Sequence, residues 1–133
     1  MTAFVVDASV TVAWLLNEEE QAGQGLSQLV EDGAVVPQLW HLEIRNVLLV
    51  AERRGRLSAA QAATGLDALQ GLPIDTDESP DLASAYTLAR THRLSFYDAV
   101  YLELACRRSA SLVTLDTALA RAAAAEGLPP LPG

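Results

Sequence analysis

Apolar residues recur along the chain in two rhythms, short unbroken runs and longer stretches spaced every three or four positions. The first predicts buried strands, the second helices. Ala3 to Val6 is a strand that stops at Asp7. A helix follows through Ser9 to Leu16, with Val10, Ala13, Trp14 and Leu16 apolar and with Asp7 or Ser9 as its cap. A second helix is expected from Glu18 to Glu31, closed by Asp32-Gly33, before a short Ala34–Val36 strand that Pro37 ends. Gln38 to Arg54 is apolar around most of its circumference, which predicts a helix buried inside the molecule. Ser58 caps a further helix ending near Gly71, Pro73 to Thr76 is a strand, and Ser79-Pro80-Asp81 opens the next helix. Tyr97 to Arg108 is helical, Ser111 to Leu115 a strand, and an alanine-rich helix runs to Glu126. Strands separated by helices predict an α/β fold whose parallel sheet carries helices on both faces.

Composition narrows the class. The 133 residues suit a single domain spanning 1–133. Hydrophobic residues make up 50% of the chain and charged residues 20%, a globular balance. Asp7 breaks the first apolar run and no basic segment precedes it, so a cytoplasmic protein with no membrane span is expected. The single cysteine, Cys106, sits inside a helical pattern, in keeping with a reducing compartment. Net charge is −8, and all nine basic residues are arginines. Without lysine, a P-loop is excluded, and receiver-type or haloacid dehalogenase-type phosphate chemistry fits poorly. The acidic balance also argues against tight nonspecific nucleic-acid binding. It leaves room for an enzyme whose carboxylates hold cations.

Four acids stand out. Asp7 and Asp116 end strands, where sites of open α/β sheets gather, although a plain helix N-cap accounts for either. Glu43 has Leu39, Trp40, Asn46 and Val47 at helical spacing, and a buried ion pair with an arginine is the plainer account there. Asp98 is surrounded by Leu94, Ser95, Tyr101 and Leu102, and here Ser95 or Asp98 itself serves as a cap in the plainer account. Glu103 is expected to point elsewhere into solvent, and His41 and His92 to lie at the surface or at helix ends. Four carboxylates drawn together would repel by roughly 4 kcal/mol per close pair at an effective dielectric near 20. Such a cluster implies a cation, and oxygen-only ligands select Mg²⁺ or Mn²⁺ over zinc.

The segments Val5-Val6-Asp7-Ala8-Ser9-Val10, Glu43 with Asn46, Tyr97-Asp98-Ala99-Val100-Tyr101-Leu102 and Leu112-Val113-Thr114-Leu115-Asp116-Thr117-Ala118-Leu119, in that order, resemble the PIN domain. The chain length is similar to that of VapC toxins of VapBC toxin-antitoxin modules. The resemblance implies a three-layer α/β/α fold around a parallel sheet of about five strands. It implies a Mg²⁺- or Mn²⁺-dependent endoribonuclease that cleaves tRNA or ribosomal RNA to leave a 5′-phosphate and a 3′-hydroxyl. Asp7 and Asp98 would be the main ligands, with Glu43 and Asp116 holding waters of the ion or a second, weaker ion. Ser9 and Thr114 would orient Asp7 and Asp116 or the waters through their hydroxyls, and Asn46 would do likewise or touch substrate. A VapB-type antitoxin reaching over the first helices, and a second copy of the chain in a homodimer, are the implied partners. Trp14, Leu15 and Trp40 are candidates for the antitoxin groove, with core packing the alternative. Arg45, Arg53, Arg54, Arg56, Arg90 and Arg93 are candidates for a rim that tracks phosphates. The rival function is a non-catalytic module that binds a partner through its acids. A flap-type DNA nuclease is disfavoured by the lack of extra DNA-binding elements.

Overall fold

The computed structural model describes residues 4–16 and 33–130, so the helix expected over Glu18–Glu31 lies outside the described residues. Strand β1 (Phe4–Val6) lies between β2 (Ala34–Pro37) and β4 (Ser111–Val113), and β3 (Ile74–Asp77) pairs with the outer side of β2. All pairings are parallel, with Phe4 opposite both Ala34 and Ser111, and Ala34 opposite Ile74. Four strands are present among the described residues, where about five were expected. β1, β2 and β4 are buried along their whole length, which is why their sequences are unbroken runs and show no alternation. β3 is an edge strand and reads accordingly, with Asp75 and Thr76 exposed.

Among the described residues six helices complete three layers: α1 (Ala8–Leu15), α2 (Gln38–Arg53), α3 (Ala59–Gln70), α4 (Leu82–His92), α5 (Phe96–Arg108) and α6 (Thr117–Ala125). α2 packs on α1 and α3, while α5 packs on α4, α6 and three of the four strands. Local chemistry sets several starts. Ser58 and Gln61 form a reciprocal capping box at α3. The Ser58 N–H donates to the Gln61 side chain at 2.8 Å, and the Gln61 N–H donates to the Ser58 hydroxyl at 3.1 Å. Asp81 and Ser95 cap α4 and α5 through the backbone N–H groups of Ser84 and Asp98. α5 is the central helix, with every residue from Ala99 to Ala105 buried.

Two expectations fail here. α2 is not enclosed: Trp40, Ile44, Leu48 and Ala51 form one buried stripe, while Leu42, Val47 and Leu49 are exposed on the far side. Only one face can meet the core, and apolar residues beyond that stripe remain in water. Glu103 is not solvated but 4% exposed. It accepts two bonds from Arg107, at 2.7 and 3.0 Å, and one from the Asp81 N–H at 3.0 Å. Arg107 also grips Asp77 with two bonds of 2.9 Å, and Arg108 reaches the same carboxylate at 3.5 Å. A charge is tolerated this deep because every oxygen has a donor. The knot ties the end of β3 and the start of α4 to α5.

The strand order carries a consequence for chemistry. From β1 the chain builds outward through β2 to β3, then returns to add β4 on the other side of β1. The switch point therefore lies between the C-terminal ends of β1 and β4. Such a crevice is where open α/β sheets bind ligands.

Candidate active site

Asp7 follows β1 at that switch point. It occupies the N-cap position of α1, yet its side chain makes no capping bond. Instead Oδ2 accepts the Ser9 hydroxyl at 2.9 Å and the Thr114 hydroxyl, which arrives from the end of β4, at 2.7 Å. Each hydroxyl in turn accepts a backbone N–H, from Leu115 to Ser9 at 3.1 Å and from Asp116 to Thr114 at 3.0 Å. An N–H only donates, so both hydroxyl protons are committed to Asp7. The Asp7 N–H itself donates to the Val113 carbonyl at 2.9 Å. These bonds lock the β1 and β4 ends together and fix a carboxylate that is 6% exposed. Its other oxygen, Oδ1, has no side-chain donor among the described residues.

Glu43 projects from α2 and is half-buried. Its partner is a phenol and not an arginine: Tyr101, fully buried on α5, donates to Oε1 at 2.6 Å. Burial pushes the Glu43 carboxyl above the ordinary glutamate range. The Tyr101 bond opposes that shift, and the nearby charges of Asp7 and Asp98 add to it. Burial and the bond to Glu43 drive the phenol far upward, so Tyr101 stays a proton donor at any physiological pH. Asp98 is half-buried on the first turn of α5, where the cap is Ser95 and not Asp98 itself. Its carboxyl is raised by burial and by the charges of Asp7 and Asp116, against a bond from Ser95.

Asp116 differs from Asp7. It is exposed, and its Oδ1 accepts the Leu119 N–H at 3.1 Å, so it does cap α6. Asn46 lies one turn beyond Glu43, exposed and without a side-chain hydrogen bond among the described residues. Asp7, Ser9 and Thr114 are thus in direct contact, Glu43 and Asp98 stand within electrostatic reach of Asp7, and Asn46 stands apart. Sequence alone presents Tyr101 only as an apolar neighbour of Asp98. The overlooked signal is its hydroxyl, because a tyrosine on a wholly buried helix face needs a partner.

None of the four acids forms an ion pair with an arginine or histidine among the described residues. His41 bonds Thr76 at 2.8 Å and His92 bonds Glu126 at 2.7 Å, so neither histidine is drawn to the acids. The available donors are carboxylate and hydroxyl oxygens, which suit a hard divalent ion. As the side chains stand, no three Asp, Glu, His or Cys among the described residues are grouped closely enough to clasp one. Asp7 is fixed by its hydroxyls. Glu43 and Asp98 are both partly open to solvent.

Comparison with known proteins identifies the family. The PIN domain family matches residues 4–125. Ribonuclease VapC1 of Mycobacterium tuberculosis is 37% identical over 97% of this chain and 95% of its own. Ribonuclease VapC3 of Pyrobaculum aerophilum is 35% identical over 87% of this chain and 91% of its own. The crystal structure of PAE2754 from Pyrobaculum aerophilum superposes with a TM-score of 0.73 at 25% identity, covering 91% of this chain and 84% of that one.

Proposed function

The chain belongs to the PIN-domain family, among relatives named Ribonuclease VapC, and from that membership we propose that it is a divalent-metal-dependent endoribonuclease, the toxin of a toxin-antitoxin pair. The observation that carries this reading is the state of its acids. A carboxylate locked at the switch point faces two raised carboxyls, and no cationic side chain among the described residues pairs with them.

Asp7 and Asp98 would hold Mg²⁺ or Mn²⁺, with Glu43 and Asp116 beside them. When bound, the ion would neutralise charge on the scissile phosphate and lower the pKa of the attacking water. The protein's own part is positioning. Ser9 and Thr114 keep the Asp7 carboxylate from swinging back to cap α1, so that Oδ1 stays available. Burial raises the Glu43 and Asp98 carboxyls, and a bound cation would offset the crowding of negative charge that adds to that rise. Asn46, exposed one turn beyond Glu43, would meet substrate. Hydrolysis on these lines leaves a 5′-phosphate and a 3′-hydroxyl, and tRNA or ribosomal RNA is the expected substrate.

The antitoxin's docking site is supported by a groove of about 570 Å³ between α1 and α3, lined by Trp14, Leu15, Leu16, Leu57, Gly65 and Ala68 among others. Trp40 does not share in it; it is buried and donates to Thr11 at 3.3 Å.

The test is RNA cleavage by the antitoxin-free chain supplied with Mn²⁺, compared with Asp7→Asn and Asp98→Asn. Residues that merely orient ligands are worth about 10- to 100-fold, so loss of a ligand should cost at least about 100-fold. Equal activity in variant and parent would sink the metal-site reading. A parent inactive with Mn²⁺ would favour a module that binds its partner without catalysis.

A further inference from the structure

We propose that Tyr101 is a positioning residue that acts through Glu43, holding that carboxylate toward Asp7 and Asp98 so that the site can close on a divalent ion. The proposal rests on the metal-dependent reading above and deepens it.

The geometry is specific. Tyr101 has no exposed surface, and its bond to Glu43 Oε1, at 2.6 Å, joins residues 58 positions apart on two different helices. Its phenolic oxygen also faces the backbone N–H of Ala8, the residue immediately after Asp7. That N–H only donates and the carboxylate only accepts, so the single phenolic proton is committed to Glu43. One hydroxyl thus relates the position of Glu43 to the backbone that carries Asp7. Ser9 and Thr114 do the same service for Asp7 itself. Glu43 differs in being only half-buried on a long flexible side chain, with no other side-chain partner among the described residues. With Oε1 held by Tyr101, Oε2 is the oxygen left to turn toward the site. Without the phenol, no other side chain among the described residues keeps Glu43 from turning out into solvent. Packing alone does not explain a tyrosine here, because phenylalanine would fill the same space without an oxygen to satisfy.

The experiment is Mn²⁺ binding by calorimetry, alongside RNA cleavage, for the full chain, Tyr101→Phe, Glu43→Ala and the double variant. Tyr101→Phe should weaken Mn²⁺ binding by about 10- to 100-fold, the range for residues that orient a ligand. Added to Glu43→Ala it should change nothing further, since a residue acting through another has no effect once that one is gone. Unchanged affinity in Tyr101→Phe overturns the proposal. Additive losses overturn it too, because Tyr101 would then act by another route. A parent that binds no Mn²⁺ removes the underlying reading together with the proposal, whereas a binding parent with an unaffected Tyr101→Phe removes the proposal alone. Should Tyr101→Phe fold poorly, Tyr101→3-fluorotyrosine keeps the hydroxyl. Its ¹⁹F resonance should move on adding Mg²⁺ in the parent and stay still with Glu43→Ala; a resonance that ignores Mg²⁺ in both contradicts the proposal.

Discussion

Asp7 and Asp116 look alike in sequence, each an acid between a strand and a helix, and each open to a simple capping account. They differ in what surrounds the carboxylate. Asp116 caps α6, whereas Asp7 is pulled off its helix by two hydroxyls, one of them 107 residues away. This difference separates stability from function at position 116. Asn caps as well as Asp, while Ala loses about 1 kcal/mol. Asp116→Asn should therefore melt like the parent and Asp116→Ala should unfold more easily by about that amount, while both lose Mn²⁺-dependent cleavage. Chemical denaturation beside a cleavage assay checks this, and full activity in Asp116→Asn would reduce residue 116 to a cap. Strand-end acids are legible because strand ends are. The direction a side chain takes is not, since it depends on hydroxyls that only the folded chain brings near.

At the level of elements, α5 shows how one rule leads to two outcomes. A carboxylate among apolar neighbours singles out Asp98, which is half-buried, while the expectation of solvent at Glu103 overlooks the same rule. Arg107, one turn later, is the available signal, because a Glu–Arg pair at that spacing is a recognised helix contact. The two acids then divide by partner: Glu103 has an arginine, and the charges that bear on Asp98 are those of other acids. α2 departs from expectation for a related reason. Its apolar residues outnumber what one buried stripe can use, so composition overstates its burial. The Arg107 knot carries its own expectation. Hydrogen bonds from Arg107, chiefly, hold the Asp77 carboxyl below its ordinary value of 3.8. A lowered folded value means stability that is fully present above 3.8 and lost as pH falls through the folded value. Arg107→Gln leaves Glu103 without a cationic partner and Asp77 with only the longer Arg108 contact, and should cost about 3 kcal/mol at neutral pH, the low end for a broken buried pair because the guanidinium is partly exposed and other donors remain. The gap between parent and variant should narrow below the ordinary aspartate range as the two acids protonate. Urea unfolding at neutral and acid pH measures it; a gap independent of pH would mean that Arg107 contributes by packing alone.

For the whole molecule the difficulty is charge, since RNA must approach a chain of net charge −8. Distribution matters more than the total. Arg45, Arg53, Arg54 and Arg56 place four of the nine arginines on α2 and the turn after it, the same helix that carries Glu43. Arg53 and Arg54 are exposed. They lie about 15 Å along the helix from Glu43, at a rise of about 1.5 Å per residue. Phosphates a few nucleotides from a scissile bond at the acids would pass that end. The acids would repel an RNA backbone and the α2 arginines would attract it, which would draw the strand toward that end of the helix. Contacts with phosphate release counterions, and for a single strand each lowers the log–log salt slope of binding by about 0.7. Arg53→Gln combined with Arg54→Gln, in an Asp7→Asn background that binds without cutting, should therefore flatten that slope by about 0.7 to 1.4. Binding at low salt should weaken while the melting temperature stays near that of the background, since both side chains are at the surface. Filter binding of single-stranded RNA across a salt series decides it. An unchanged slope would assign these arginines to another surface.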